Sequence, residues 1–213
     1  MEIKILLVED HTIVREGLRT VLSKEEDLIV IGEAADGLEG IELAQKLVPH
    51  IILMDVSLPN LNGVEATRRI CKENPAIKVI ALSMHSNERF IVEMLRSGAS
   101  GYLLKDCASL ELARAIRIVA NGRVYISPAV ASTIVEEFTR QQPTSSAFEK
   151  LSSREREVVQ LVAEGKSTKE MARHLGLSVK TIEAHRRKIM LKLQIDSIAE
   201  LTKYALRQGL TSL

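Results

Sequence analysis

The sequence has few of the features that mark secreted or membrane proteins. Its 213 residues include no tryptophan and only two cysteines, Cys71 and Cys107. Their wide separation, without CxxC spacing, argues against a disulfide framework or a thiolate metal cluster. Apolar runs such as Ile51–Met54 are far shorter than the ~18–20 residues of a membrane helix. The chain starts almost directly with a strand-like segment, so we expect no signal peptide. We therefore expect a cytoplasmic protein with reduced thiols and no membrane partner.

Charge is distributed unevenly along the chain, although the net charge of the whole is only +1. Residues 1–121 contain 14 Lys/Arg and 18 Asp/Glu, whereas residues 148–213 contain 13 Lys/Arg and 8 Asp/Glu. The resulting net charges of −4 and +5 indicate two domains with different partners, and the basic one is a candidate for binding a polyanion. Residues 141–146 are polar and without periodicity. We predict a linker over residues 122–147, with a helix near 128–140.

Short apolar segments alternate with amphipathic, helix-like segments over the first 120 residues. This alternation predicts a parallel sheet covered by helices on both faces. Right-handed crossovers favour the flavodoxin-like α/β fold, with five strands in the order 2-1-3-4-5, over residues 1–121. The predicted strands are Ile3–Val8, Leu28–Ala34, Ile51–Met54, Val79–Leu82 and Gly101–Leu104.

Residues 148–213 have the pattern of a small all-α domain with four helices. Ser-x-x-Glu motifs begin at Ser152, Ser167 and Ser197, each before an apolar-periodic segment. In such a capping box, the serine and glutamate side chains bind free backbone amides of the first helical turn. The fourth helix is predicted to begin after Ser178, which follows a Gly-Leu turn.

Five polar side chains stand where the predicted strands end. Glu9 and Asp10 follow the first strand, Asp55 the third, Ser83 the fourth and Lys105 the fifth. Because the carboxyl ends of parallel strands meet at one edge, these groups should lie close together. Crowded carboxylates require a cation, and oxygen ligands suit Mg²⁺. The Asp55 carboxylate could attack phosphorus, with Lys105 and Ser83 binding the phosphoryl oxygens. Helix caps and surface ion pairs are the competing use of the same residues.

The segments that carry these residues resemble the receiver domain of two-component response regulators. The resemblance covers about residues 1–121 and rests on residues 5–11 (ILLVEDH), 54–63 (MDVSLPNLNG), 81–83 (ALS) and 101–105 (GYLLK). It implies that a histidine kinase phosphorylates Asp55. It also implies that Mg²⁺ is held by Glu9, Asp10, Asp55 and the backbone carbonyl of Ser57.

The resemblance further implies a switch in which the phosphoryl group draws Ser83 inward and Tyr102 follows. A local change of charge would then bias a two-state surface formed by the fourth and fifth helices and the fifth strand. The alternative for Tyr102 is an edge-strand aromatic residue that takes no part in switching.

Thr168–Leu175 and Val179–Leu193, joined by a short turn, form a helix-turn-helix pattern. On the second helix, a predicted core stripe of Val179, Ile182, Ile189 and Leu193 lies opposite a polar face. Among the residues of that face, Arg187 could bind guanine, Glu183 could accept from cytosine and Ala184 could contact a thymine methyl. The residues better suited to phosphate contacts are Lys180, Thr181, Arg186 and Lys188. A merely solvated helix face would carry the same charges.

Residues 151–159 (LSSREREVV), 167–172 (STKEMA) and 178–193 (SVKTIEAHRRKIMLKL) resemble the LuxR-type DNA-binding domain. Together with the receiver-like half, they make the chain similar to the NarL/FixJ class of response regulators. This resemblance implies a regulator of transcription that dimerises when phosphorylated. The implied partners are a cognate histidine kinase and double-stranded promoter DNA, with RNA polymerase as a further candidate. We expect the last helix, residues 198–206, to form the dimer surface through its apolar Ile198, Leu201 and Ala205. Core packing within the same domain is the competing use of these residues.

Two other functions use the same residues. A Mg²⁺-dependent phosphohydrolase with an aspartate nucleophile would usually have a second aspartate two residues beyond Asp55, where this chain has Ser57. It would also need a cap domain, for which no segment is left, so we expect no enzyme acting on an external substrate. A transcription factor whose receiver is an unphosphorylated interaction module is the second alternative, and the intact set of pocket residues does not exclude it.

Overall fold

The computed structural model describes residues 2–84, 88–106, 109–132, 151–208 and 210. The chain divides into two compact units, Met1–Gln141 and Gln142–Leu213. In the described residues, no helix is both long and apolar enough to cross a membrane.

The first unit is built around a parallel sheet with the strand order β2-β1-β3-β4-β5-β6. The first five strands have the predicted flavodoxin-like order, which is therefore confirmed. The strands are β1 Ile3–Val8, β2 Leu28–Ala34, β3 Ile51–Asp55, β4 Lys78–Ser83, β5 Gly101–Leu104 and β6 Tyr125–Ile126. The helices are α1 Thr12–Leu22, α2 Gly37–Leu47, α3 Gly63–Glu73, α4 Glu88–Arg96 and α5 Ser109–Ala120.

The continuous apolar character of β3 reflects burial on both faces of the sheet. All of its residues are buried. Ile52 and Met54 belong to one core cluster, whereas Ile51 and Leu53 belong to a second cluster. Successive side chains of a strand point to opposite faces, so both layers of helices pack against apolar surface.

The described residues contain one strand more than the five predicted, because β6 extends the sheet beyond β5. Tyr125 pairs with Gly101, and Ile126 pairs with Tyr102, in parallel register. Two residues are too few to show a strand periodicity, so the sequence pattern gave no signal. Gly101 permits the close approach, because a Cβ atom there would lie 3.3 Å from the Tyr125 carbonyl oxygen. The strand lies within the predicted linker, residues 122–147.

The residues after β6 remain attached to the first unit. The Ser127 N–H donates to the Tyr102 carbonyl at 3.0 Å, and Val130 is fully buried in the core cluster that contains Tyr102. Residues 128–132 are helical. The rest of the helix predicted near 128–140, and the polar segment 141–146, lie outside the described residues.

The second unit consists, in its described part, of α6 Ser153–Ala163, α7 Thr168–Leu175, α8 Val179–Leu193 and α9 Ile198–Gln208. Four helices were predicted, and the small all-α class is confirmed. Their apolar faces form one core, to which each helix contributes fully buried side chains such as Val158, Met171, Ile182 and Leu201. Gly176 ends α7 in the left-handed region with φ 64°, which favours glycine.

The helix starts match the Ser-x-x-Glu motifs with one difference. Ser152 and Ser167 form complete capping boxes at α6 and α7. At α9, Ser197 accepts from the Glu200 N–H at 3.2 Å, but the Glu200 carboxylate accepts from the Asp196 N–H at 3.1 Å. In the third motif, the serine binds the usual amide, whereas the glutamate binds the amide one residue before the N-cap.

The apolar residues predicted on α9 and α8 differ from the expectation in their burial. Leu201 and Ala205 on α9 are fully buried in the core of their own unit, so core packing is the use of these two residues. Ile198 remains 40% exposed at the start of the helix. On α8, Ile182 and Ile189 are buried as expected, whereas Val179 in the first turn is 40% exposed.

Candidate phosphoacceptor pocket and DNA-binding helix

The carboxyl ends of four strands bring the predicted polar side chains together. Glu9 follows β1, Asp55 ends β3 and Ser83 ends β4, and all three are buried. Lys105 directly follows β5, and its N–H donates to the Ser83 carbonyl at 2.8 Å. Because β1 pairs with β3 and β3 with β4, the strand order itself places these groups side by side.

Lys105 joins the two buried carboxylates of the pocket. Its Nζ lies 2.6 Å from Glu9 Oε2 and 2.9 Å from Asp55 Oδ2, and its side chain is only 7% exposed. Burial alone would lower the pKa of Lys105, but the nearby charges of Asp55 and Glu9 raise it overall. The ammonium group is therefore charged, and it compensates two carboxylates that would otherwise repel each other.

The same edge carries a group of side chains that could hold a metal ion. Glu9, Asp10, His11 and Asp55 each offer one ligand atom within 4.8 Å of the others. Asp10 Oδ1 is buried and accepts no hydrogen bond from the described residues, although His11 Nδ1 lies 3.0 Å away. The Ser57 N–H donates to Asp55 Oδ1 at 3.2 Å, so Ser57 lies beside this group. The hard oxygen ligands fit Mg²⁺.

Tyr102 lies inside the sheet next to Ser83. Its side chain is fully buried, and its hydroxyl is hydrogen-bonded to Ser83. Burial raises the pKa of Tyr102 to about 12, the charge of Asp55 adds to the increase, and the Ser83 hydrogen bond opposes it. The phenol is therefore neutral. Since β6 flanks β5, Tyr102 does not lie on an edge strand.

The loop after Asp55 is packed closely against the backbone of the phosphoacceptor candidate. A Cβ atom on Gly63 would overlap the carbonyl oxygen of Asp55. The Gly63 N–H donates to the Val56 carbonyl at 3.0 Å, and Asn62 caps α3 by accepting from the Glu65 N–H at 3.0 Å. Gly63 is therefore required for this close approach, and its helix fixes the position of the loop.

We expect Gly63→Ala to destabilise the first unit by roughly 1–3 kcal/mol, because the methyl group must displace backbone atoms. The matched control is Gly17→Ala in α1, where a Cβ atom would meet nothing within 4 Å. Alanine there should stabilise the protein by about 0.4–1 kcal/mol. Urea denaturation followed by circular dichroism measures both. Equal stability of the two variants would contradict the packing described for Gly63.

Two residues near the pocket gave no clear sequence signal. His11 Nδ1 lies 3.2 Å from Glu9 Oε1 as well as close to Asp10. Arg15 NH1 donates to the main-chain carbonyl of Glu9 at 2.6 Å. His11 is the N-cap of α1 and ends the segment 5–11 that carries the receiver resemblance, whereas Arg15 follows one turn later and lies in no motif.

In the second unit, the predicted DNA-contacting residues of α8 fall into two groups. Lys180, Glu183, Ala184, Arg187 and Lys188 are exposed. Thr181 and Arg186 are half-buried and hold the helix-turn-helix together. The Thr181 hydroxyl lies 2.8 Å from Ser178 Oγ, and Arg186 NH1 donates to Thr168 Oγ1 at 3.3 Å.

Glu155 connects α6 to α8 as well as capping its own helix, a role that the sequence did not reveal. Its side chain is 2% exposed, and its two carboxylate oxygens lie 2.6 and 2.8 Å from Lys192 Nζ. Lys188 Nζ lies 3.7 Å away. Burial alone would raise the pKa of Glu155, but Lys192 and Ser152 lower it overall. The ionised carboxylate therefore anchors the helix that carries the exposed cations.

Comparisons with known proteins cover both units. Residues 5–117 match the response regulator receiver domain, and residues 149–205 match the luxR family of bacterial regulatory proteins. The chain is 38% identical to the oxygen regulatory protein NreC of Staphylococcus carnosus (strain TM300) over 213 residues. That similarity covers 97% of this chain and 98% of NreC.

Two solved structures are also similar. One is a LuxR-family two-component response regulator from Aurantimonas sp. SI85-9A1, with a TM-score of 0.63 and 37% identity, covering 66% of this chain and 100% of that chain. The other is the two-component response regulator RcsB in its complex with DNA, with a TM-score of 0.62 and 27% identity. It covers 97% of this chain and 98% of that chain. The chain belongs to the response regulators that join a receiver domain to a LuxR-family domain, and it is a DNA-binding regulator of transcription.

Proposed function

We propose that Asp55 is the phosphoacceptor and that a histidine kinase is the phosphodonor. The observation that carries this proposal is the Lys105 ammonium group, which lies 2.9 Å from Asp55 Oδ2 in a buried pocket with Glu9 and Asp10 beside it. A buried carboxylate paired with a cation, next to further carboxylates, is the arrangement needed to accept a phosphoryl group with the help of a metal ion.

In the proposed transfer, a carboxylate oxygen of Asp55 bonds to phosphorus as the bond between phosphorus and the donor imidazole breaks. Lys105 and the Ser83 hydroxyl then bind phosphoryl oxygens by charge-assisted hydrogen bonds. Mg²⁺, held by Glu9, Asp10, Asp55 and the carbonyl oxygen of Ser57, would offset the negative charge of the phosphoryl group. The phosphoryl group goes to the protein itself, so no external substrate is required.

The proposed switch depends on the pair Ser83 and Tyr102. When Ser83 donates its single proton to a phosphoryl oxygen, its hydrogen bond to Tyr102 can persist only with the Tyr102 hydroxyl as the donor, so phosphorylation fixes the direction of that bond. Tyr102 pairs with Ile126 across β5 and β6, so a change at Ser83 reaches the segment that leads toward the second unit. This supports Tyr102 as the residue that follows the phosphorylation state.

The proposed output is homodimerisation and binding of double-stranded promoter DNA in the cytoplasm. Arg187, Glu183 and Ala184 would contact base edges. The residues proposed for phosphate contacts are Lys180, Thr181, Arg186 and Lys188. RNA polymerase is a candidate partner of the DNA-bound dimer. We divide the chain into a phosphoacceptor domain at 1–121, a connection at 122–147 and a DNA-binding domain at 148–213.

The first part of the proposal is tested by intact-mass spectrometry. Incubation with acetyl phosphate and Mg²⁺ should add the mass of one phosphoryl group, and EDTA should prevent the addition. Peptide mapping should place the group on Asp55. No gain of mass, or a gain located on another residue, would refute the proposal.

We expect Arg187→Ala to weaken DNA binding by roughly 1–3 kcal/mol and to relax the preference at one base pair. The probe is a duplex selected from a random DNA pool by the wild-type protein, and binding is followed by fluorescence anisotropy. Lys203→Ala is the control, because Lys203 is an exposed cation on α9. Equal losses for the two variants would mean that α8 does not read the bases.

A further inference from the structure

Arg15 is attached to the backbone of the acidic pair. Its NH1 donates to the Glu9 carbonyl at 2.6 Å, while its Nε lies 3.2 Å from Glu33 Oε2. The Arg15 side chain is only 18% exposed, and it extends from α1 toward the ends of β1 and β2. Its position is fixed from two sides, so it can hold a backbone group in one orientation.

Both polar backbone groups of Glu9, its N–H and its carbonyl, are therefore held by hydrogen bonds. The Glu9 N–H donates to the Ala34 carbonyl at 3.0 Å, and the Glu9 carbonyl accepts from Arg15. This carbonyl and the N–H of Asp10 belong to the same planar peptide group. The fixed Glu9 carbonyl therefore fixes the orientation of the peptide plane that leads into the Asp10 Cα atom. The Asp10 side chain is attached to that atom.

We propose that Arg15 is a positioning residue for the divalent-cation site. It holds the Glu9–Asp10 peptide so that the Asp10 carboxylate stays within reach of Glu9 and Asp55. This inference rests on the proposed function, because it takes a bound Mg²⁺ ion as the ligand of these carboxylates. Groups that orient metal ligands without touching the metal commonly change its affinity by about 10- to 100-fold.

The charge of Arg15 and its proposed positioning role predict opposite effects of its removal on the affinity for Mg²⁺. Arg15 is a cation close to a cation site, so its charge alone opposes Mg²⁺ binding, and its removal would tighten binding. If Arg15 instead positions the Asp10 carboxylate, its removal weakens binding although a positive charge is lost. The sign of the change therefore separates the two roles.

The test is isothermal titration calorimetry of the full-length chain with MgCl2, supported by the Mg²⁺ dependence of phosphorylation by acetyl phosphate. Arg15→Met should weaken Mg²⁺ binding by about tenfold. Its phosphorylation rate at saturating Mg²⁺ should approach that of the wild type. Arg15→Lys should recover only part of the affinity. Its single ammonium group cannot bind both partners of Arg15 in the geometry of the guanidinium fork.

The matched control is Arg19→Met, since Arg19 lies 3.5 Å from the same Glu33 carboxylate but is 57% exposed. It should leave the Mg²⁺ affinity unchanged. Glu33→Gln, which loosens only the outer anchor of Arg15, should give an intermediate loss and covers the case that Arg15→Met does not fold. Equal or tighter Mg²⁺ binding by Arg15→Met, or a lower thermal stability without a change in affinity, would overturn the inference. A wild-type protein that binds no Mg²⁺ would instead refute the proposed function, and the inference with it.

Discussion

Replacing Lys105 by methionine is expected to destabilise the first unit by roughly 3 kcal/mol in the absence of Mg²⁺. The substitution removes the cation that lies between Glu9 Oε2 and Asp55 Oδ2 and leaves two buried carboxylates close together. Added Mg²⁺ should restore part of the lost stability, because the metal supplies the missing positive charge. Urea denaturation in EDTA and in MgCl2 measures both effects. Mg²⁺ should stabilise the variant more than the wild type.

The control for this prediction is Lys24→Met, since Lys24 is an exposed lysine in the loop after α1. It should change stability little, with or without Mg²⁺. A Lys105→Met protein as stable in EDTA as Lys24→Met would mean that the ion pairs of the pocket contribute nothing. In that case, the electrostatic description of the pocket would be wrong.

Glu155→Ala is expected to destabilise the second unit by a similar amount, roughly 3 kcal/mol or more. The variant loses the capping box of α6 and the buried carboxylate that binds Lys192. Because the chain has two compact units, unfolding can have two transitions, and only the one belonging to the second unit should shift. Thermal unfolding followed by circular dichroism, with each transition assigned by its response to Mg²⁺, measures the change.

The same residue predicts a dependence of stability on pH. The pKa of Glu155 lies below its ordinary value of 4.5 in the folded unit. Its contribution is therefore complete above about pH 4.5, and it is lost as the pH falls through the folded pKa. The wild-type second unit should lose stability in this acidic range, and Glu155→Ala should lose less, because part of the loss is already present in the variant.

Glu170→Ala is the matched control, because Glu170 occupies the same position in the capping box of α7 but is exposed. It should cost much less stability than Glu155→Ala. If the two variants were equally destabilised, the cap alone would explain the result. The ion pair between α6 and α8 would then have no measurable role.

The fold was predictable wherever a segment was long enough to show a period. The five strands β1–β5 and the helices α6–α9 each carry a repeated apolar pattern that burial requires. The short strand β6 carries none, and its position depends on a close approach to Gly101 that only the folded sheet reveals. The apolar stripe of α9 was compatible with a dimer surface or with core packing. Leu201 is buried in the core of its own unit, because that core includes the apolar face of α9.

The pocket was predictable because strand order, set by local patterns, determines which strand ends are neighbours. Asp55, Glu9 and Lys105 follow directly from that order. Arg15 and Glu155 could not be assigned in the same way, because their partners are a backbone carbonyl and a lysine of another helix. Lys192 is 37 residues from Glu155, so that contact depends on helices that are distant in sequence. Arg15 is only six residues from Glu9, but its contact depends on how α1 packs beside the end of β1, which no apolar pattern encodes.

We propose that phosphorylation of Asp55 controls DNA binding, and the direct test compares the wild type with Asp55→Asn. Each protein is titrated into the selected DNA duplex with and without acetyl phosphate and Mg²⁺, and its oligomeric state is measured by light scattering under the same conditions. We predict that only the wild type changes its DNA affinity and dimerises when the phosphodonor is added. A wild type that binds DNA equally with and without the phosphodonor, or an Asp55→Asn variant that responds as the wild type does, would contradict the claim.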